Sequence, residues 1–189
     1  MPALKFSTWY NRHLQKHPFL VNSGTGFLTA IIGDFFCQVH FENADIKTYD
    51  YFRTGEMGLI RAFIMSPILA AYYPRLNALL PGQSIDRVIG RVLIDQLVGS
   101  PITLVLTFGA ASLMRGTPER FPTLVQEQFV PAWTAGASYW PFIHFFNFKF
   151  APIAHQPLVA HVASVYWNMI LSHKAYSKLS HEKENVETK

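Results

Sequence analysis

Long apolar runs broken at prolines, with small and polar residues recurring inside them at helical spacing, set the pattern of this chain. The clearest run lies between Gln96 and Met114, where no Asp, Glu, Lys or Arg occurs. A helix of that length crosses a hydrocarbon layer of roughly 30 Å. Arg91 and Asp95 stand one helical turn apart at its leading edge. An ionised side chain deep in lipid costs roughly 2.5 to 3.5 kcal/mol even on a lenient insertion scale, so both must face protein or water.

The same pattern places the other elements in order. Residues 1–18 carry Lys5, Arg12 and Lys16 without an acid; wound as a helix, they put Phe6, Trp9, Tyr10, His13 and Leu14 on one side and the bases on the other. This is the arrangement of an uncleaved interfacial amphipathic helix. After the His17-Pro18 break, Phe19 to Phe41 reads as the first span. Asn22, Gly26, Ala30, Gly33 and Cys37 form a small-residue seam along it, with Asp34 and Gln38 one turn apart near its far end, turned into a bundle or towards the water interface. Residues 42–56 carry four acids against two bases and read as a solvated loop. Beside the basic start, this loop places the amino terminus on the cytosolic or matrix side. Ile60 to Leu80 is the second span, with Arg61 in its first turn and Pro67 and Pro74 kinking it. In the third, Arg87, Arg91, Asp95, Gly99, Thr103 and Thr107 step by four along one side, and Pro101 is expected to bend it.

Residues 115–128 read as a polar connection. The stretch from Phe129 to Phe148 is free of full charge but interrupted by Pro131 and Pro141, and it either spans or lies partly in the interface; Trp140, His144 and Asn147 share a face there. Pro157 to Ser172 is the last span, with His161, Ser164, Asn168 and Ser172 on one side, and residues 173–189 are expected to form a solvated tail. The fold class that follows is all-α. It is a polytopic membrane bundle of four to five apolar helices behind an interfacial amino-terminal helix, in a single integral membrane domain over residues 1–189.

Composition supports that medium. Half of the 189 residues are hydrophobic and only 15% are charged. The net charge of +4 comes from bases dispersed between apolar runs, which argues against nucleic acid. One cysteine, Cys37, excludes an intramolecular disulfide and a multi-cysteine metal site. No phosphate loop, nucleophile elbow or metal-binding helix motif occurs, so no enzyme, cofactor or metal is expected. Within the third span, Arg before Asp is the weaker order for an intrahelical pair, so Asp95 is expected to find its cation on another helix, with Arg61 as the candidate.

Trp140-Pro141, Asn147-Phe148, Pro152, Trp167-Asn168 and Leu171-Ser172 resemble the carboxy-terminal signature of one membrane family. It is the family of the Mpv-seventeen mitochondrial inner-membrane protein and the twenty-two-kilodalton peroxisomal membrane protein. Tyr10, Leu14, His17-Pro18, Gly33-Asp34, Gln38, Arg61, Pro67, Tyr73, Leu76, Asp95-Gln96 and Pro101 resemble its earlier motifs in order, over residues 9–172. Departures are Ala70 for the usual His, Arg91 for Lys, Gly136-Ala137 for Asn-Trp, His144 for Gln and Gln156 for Arg. The last puts in doubt any ion pair attributed to that position.

The resemblance implies an organellar membrane protein, of the mitochondrial inner membrane or alternatively of peroxisomes. Such proteins are usually drawn with four spans and described as weakly selective channels for small solutes that contribute to membrane homeostasis. The expected function is therefore a non-enzymatic conduit, a homo-oligomer in the bilayer. The alternative is a non-conducting structural or interaction subunit of a larger membrane assembly. Asp34, Gln38, Arg61, Arg91, Asp95, His144, Asn147, His161 and Asn168 are the candidates to line a pore or to form an interhelical polar network.

Overall fold

The computed structural model describes residues 2–167, which are helical throughout apart from short connections, with no strand among them. Helix α1 (Pro2–Lys16) ends at the expected His17 break, and α2 (Pro18–Phe36) begins with proline in its first turn, where the missing N–H costs nothing. Tyr10 and Leu14 bury one side of α1, and the Tyr10 hydroxyl lies 3.4 Å from Thr25 Oγ1 of α2. The seam residues Asn22, Gly26, Ala30 and Gly33 are buried, together with Asp34.

Among the described residues, three continuous helical stretches are long and apolar enough to cross a membrane: Pro18–Phe41, Tyr51–Leu79 and Ile85–Met114. The shortest has 24 residues, about 36 Å at ~1.5 Å rise per residue. Each contains a π-helical turn: Cys37–Phe41 after α2, Arg61–Met65 between α3 (Tyr51–Ile60) and α4 (Ser66–Leu79), and Asp95–Gly99 between α5 (Ile85–Ile94) and α6 (Ser100–Met114). Two of the turns answer the prolines. Pro67 and Pro101 each sit two residues beyond a π turn, where the widened backbone relieves the clash of the ring with the preceding turn. The expected bend at Pro101 thus takes the form of a local widening, which also absorbs one residue and keeps the buried Asp95 and Gly99 in line.

Two boundaries differ from the sequence reading. The second stretch begins at Tyr51, inside the segment read as loop, because Asp50 caps it by accepting the Arg53 N–H at 2.9 Å. Asp50→Ala is expected to cost about 1 kcal/mol, measured as a lowered thermal midpoint of the detergent-purified chain. Before the cap, Asp45 accepts the Thr48 and Lys47 N–H groups and the Thr48 hydroxyl, which hold its carboxyl below the usual range. The second correction concerns residues 115–128. Gly116 (φ 66°) ends α6 in a Schellman motif, with Thr117 N–H on the Ser112 carbonyl at 2.9 Å and Gly116 N–H on that of Leu113 at 3.1 Å. After Pro118–Arg120, α7 (Phe121–Ala137) starts at once. Glu and Gln, read as connection residues, are good helix formers.

Helix α7 breaks at Ser138-Tyr139 and resumes as α8 (Trp140–Phe150), whose Pro141 cannot supply a ladder N–H. A turn at Ile153–His155 leads into helical residues 156–167. Asn168, Ser172 and the predicted tail 173–189 lie outside the described residues. Connections 42–50 and 115–120 sit at one end of the bundle. At the other end, Lys149 Nζ donates to the Gln83 carbonyl, and His155 Nε2 meets Asn11 Oδ1 of α1 at 2.6 Å. The buried apolar cluster of Leu69, Tyr73, Leu76, Val88, Val92, Phe148 and Ala160 joins α4, α5, α8 and residues 156–167. Phe19, Leu20, Leu28, Phe63, Leu93, Leu97 and Leu106 face outwards while Asp34, Arg91, Asp95 and His161 are buried, the inverse of a protein solvated by water.

Candidate functional site

The buried polar side chains fall into three tiers along the bundle. At the end of the 42–50 loop, Asp34 is the common acceptor: Arg53 Nε at 2.9 Å, Gln38 Nε2 at 2.8 Å and the Thr54 hydroxyl at 2.5 Å. Gln38 Oε1 in turn accepts the Asp50 N–H at 2.7 Å, and Arg53 reaches Glu42 with both carboxylate distances at 2.9 Å. Beside this tier Glu56, read as part of a solvated loop, is buried, and Arg115 from the end of α6 grips it at 2.6 to 3.1 Å. These hydrogen bonds hold the Arg115 guanidinium above its ordinary value.

At the opposite end the buried Arg91 turns away from Asp95. It donates to Asn77 Oδ1 and to the Gly82 carbonyl (2.6 Å), and its guanidinium carbon lies 5.8 Å from the Phe148 ring centre. Asn77 also donates to Gln156 Oε1 at 2.8 Å, and Asn147 donates to the Gln156 carbonyl at 3.0 Å. Among the described residues Arg91 is the buried cation of this tier, and Gln156 joins it as a neutral partner.

Between the two lies a cavity of about 240 Å³, walled by the second and third membrane stretches, α8 and Ala160. Its polar lining is Arg61, Tyr72, Tyr73, Asp95, Gln96, Ser100, Thr103 and His144; Met65, Ile68, Leu69, Ile102 and Trp140 supply apolar wall. Here the expected ionic pairing is corrected. Asp95 pairs with neither Arg91 nor Arg61 but with His144 Nε2 at 3.2 Å. The His144 ring is held for that role between Trp140 (centroids 5.2 Å, planes 18° apart) and Phe148 (5.4 Å, 15°), one turn to either side on α8. Since π stacking of this kind fixes ring orientation, the imidazole presents one nitrogen to the carboxylate. Its Nδ1 has no partner.

Both charged cavity residues are first in a π turn, and each is followed five residues later by Ser-Pro: Arg61 with Ser66-Pro67, Asp95 with Ser100-Pro101. The Ser66 hydroxyl donates to the Arg61 carbonyl at 2.7 Å. Its single proton being spent, the 3.1 Å contact with His161 has the imidazole Nε2 as donor, which leaves His161 Nδ1 unpartnered. Gly26 makes this meeting possible, because a Cβ there would strike Ser66 Oγ and come within 3.0 Å of Arg61 Cγ and 3.1 Å of His161 Cε1.

The structure thus divides the nine predicted residues. Asp34 and Gln38 belong to the loop-end tier, Arg91 and Asn147 to the opposite tier, and Arg61, Asp95 and His144 to the cavity, with His161 just behind it; Asn168 lies outside the described residues. Sequence reasoning did not single out Ser66 or Asn77, and took Tyr72 for an interface anchor and Glu56 for a loop residue. The repeated charge-x-x-x-x-Ser-Pro spacing is the signal that would have marked the cavity wall. Among the described residues no group of three or more His, Cys, Asp or Glu side chains converges as a metal site would.

Comparison with known proteins adds the following. The family model described as Mpv17 / PMP22 family matches residues 112–172. Protein SYM1 of Eremothecium gossypii is 32% identical, covering 89% of this chain and 94% of its own. Protein SYM1 of Saccharomyces cerevisiae is 29% identical over 97% of this chain and 96% of its own. The mitochondrial inner membrane protein Mpv17 of Danio rerio is 28% identical over 88% and 94%. No solved structure matches the chain.

Proposed function

The chain belongs to the Mpv17 / PMP22 family and is a protein of the mitochondrial inner membrane, and on that premise we propose that it is a non-enzymatic conduit for small solutes. The observation that carries the reading is the cavity between the tiers, where a cation, a carboxylate and unused amide and hydroxyl groups line a space inside an apolar bundle. Ionisable groups at membrane depth are costly, and where they face a cavity they mark a solute or ion path. The full crossing takes the three long stretches and α7 with α8 as a broken fourth, with α1 along the interface; the last span read from the sequence, Pro157 to Ser172, lies partly outside the described residues. A cavity of about 240 Å³ in one subunit is narrow. A wider path requires several copies around a shared axis, which makes the working form a homo-oligomer.

Flux from liposomes tests this reading. Replacing Arg61 and Asp95 together by leucine is expected to change the transport rate of small charged solutes at least tenfold, whereas Arg91→Met, in the outer tier, changes stability and not selectivity. Equal rates for the double variant and the wild type would reject the cavity as the path. The dense hydrogen bonding of the two outer tiers supports the second reading, a structural or interaction subunit whose polar groups only lock helices together. Absence of flux from the wild type, with co-purification of one fixed membrane complex, decides for it.

A further inference from the structure

We propose that the cavity is a binding station for a small monocarboxylate, with Arg61 as the group that receives its head; this deepens the conduit reading and rests on the same cavity. The argument starts from what Arg61 lacks. Among the described residues, the other arginines that reach buried groups each have a protein acceptor: Arg53 has Asp34 and Glu42, Arg91 has Asn77 and the Gly82 carbonyl, and the more exposed Arg115 has the buried Glu56. Among the described residues the Arg61 guanidinium makes neither an ion pair nor a hydrogen bond, and it lines the cavity. A guanidinium left without an acceptor inside an apolar bundle is costly for the fold, and its planar fork matches a carboxylate with two parallel hydrogen bonds.

Two further groups point the same way. Gln96 is 8% exposed and lines the cavity, yet neither atom of its side-chain amide has a partner; only its backbone carbonyl is used, by Trp133 Nε1 at 3.0 Å. The buried Tyr72 hydroxyl, also in the wall, has none either. Donor and acceptor together on one amide suit a ligand hydroxyl or carbonyl group. The volume suits a small occupant: drug-sized ligands fill roughly 300 to 1,000 Å³, and a cavity of about 240 Å³ admits a molecule of several non-hydrogen atoms. Charge limits it further. The Asp95 carboxylate is already in the wall, beside His144, and it repels a second negative charge, which disfavours phosphate dianions against a single carboxylate. Met65, Leu69 and Trp140 offer apolar surface for a short carbon body.

Lactate serves as the probe, titrated calorimetrically into the full-length chain in nanodiscs of uncharged lipid, with inorganic phosphate and chloride as comparison anions. Saturable lactate binding is expected, weakened at least tenfold in Arg61→Gln, partly retained in Arg61→Lys, and unchanged in Arg75→Gln on the exterior. A second measurement separates a ligand role from a structural one. Because Arg61 has no protein partner, the ligand-free thermal midpoint of Arg61→Gln is expected to equal or exceed that of the wild type, while the rise of the midpoint with lactate disappears. The proposal is overturned if lactate does not bind, if phosphate or chloride binds as well as lactate, if Arg61→Gln binds it equally, or if Arg61→Gln melts lower without ligand and Arg61→Lys restores it. Liposome flux run in parallel keeps the two readings apart. Arg61-dependent binding without any flux upholds the station and rejects the conduit; flux without Arg61-dependent binding does the reverse.

Discussion

Gly26→Ala is expected to destabilise the bundle by about 3 kcal/mol, while the same change two residues earlier, Gly24→Ala, stabilises it by up to about 1 kcal/mol. The opposite signs follow from what each new methyl meets. At Gly24 a Cβ finds nothing within 4 Å, so alanine acts only through its better helix propensity. At Gly26 the methyl occupies the place of Ser66 Oγ and presses on Arg61 and His161. Ser66 is fully buried, so displacing it breaks its bond to the Arg61 carbonyl and strands the His161 imidazole, which is buried too. For a chain of this size about 3 kcal/mol lowers the thermal midpoint by roughly 6 to 12 °C, readable as loss of the monodisperse species on heating in detergent. If Gly26→Ala melts with Gly24→Ala, the three helices do not meet at this glycine.

The small-residue seam that holds Gly26 was legible from spacing alone, because close approach of helices in lipid leaves glycine and alanine at every fourth position. So were the proline breaks at His17-Pro18 and Pro141, and the demand that Arg91 and Asp95 avoid lipid. What spacing did not yield was who pairs with whom. Arg91 and Asp95 share a helix face one turn apart, yet their partners lie elsewhere in the chain: His144 for Asp95, Asn77 and the Gly82 carbonyl for Arg91. The loop boundaries were misplaced for a related reason. Thr54 and Glu56 look solvated by composition, and only their tertiary partners Asp34 and Arg115 make them interior residues. Polarity in a membrane chain therefore marks the interior as often as the water interface, and the sequence carries no label distinguishing the two.

Asp34 is where that ambiguity has its largest energetic consequence. Were it solvated at the interface, Asp34→Ala would cost at most about 1 kcal/mol, the range of exposed ion pairs. The structure instead buries it to 2% exposure and makes it the acceptor of three donors. Its removal takes the carboxylate from Gln38 Nε2 and the Thr54 hydroxyl, which keep the Asp50 carbonyl at 3.1 and 3.3 Å, and half-releases Arg53. A broken buried pair costs about 3 to 5 kcal/mol; since Arg53 is 26% exposed and keeps Glu42, the lower end, about 3 kcal/mol, is expected. Asp34→Asn, which still offers an oxygen but no charge, falls between alanine and wild type. The decisive measurement is a cycle with Arg53→Met. Removing both partners leaves no stranded charge, because Glu42 is 30% exposed and can be hydrated, so Asp34→Ala with Arg53→Met is expected to be milder than the sum of the single changes by about 1 to 3 kcal/mol. Additivity within about 0.5 kcal/mol would show that water, not Arg53, satisfies Asp34, and would move this end of the second membrane stretch out of the bundle interior.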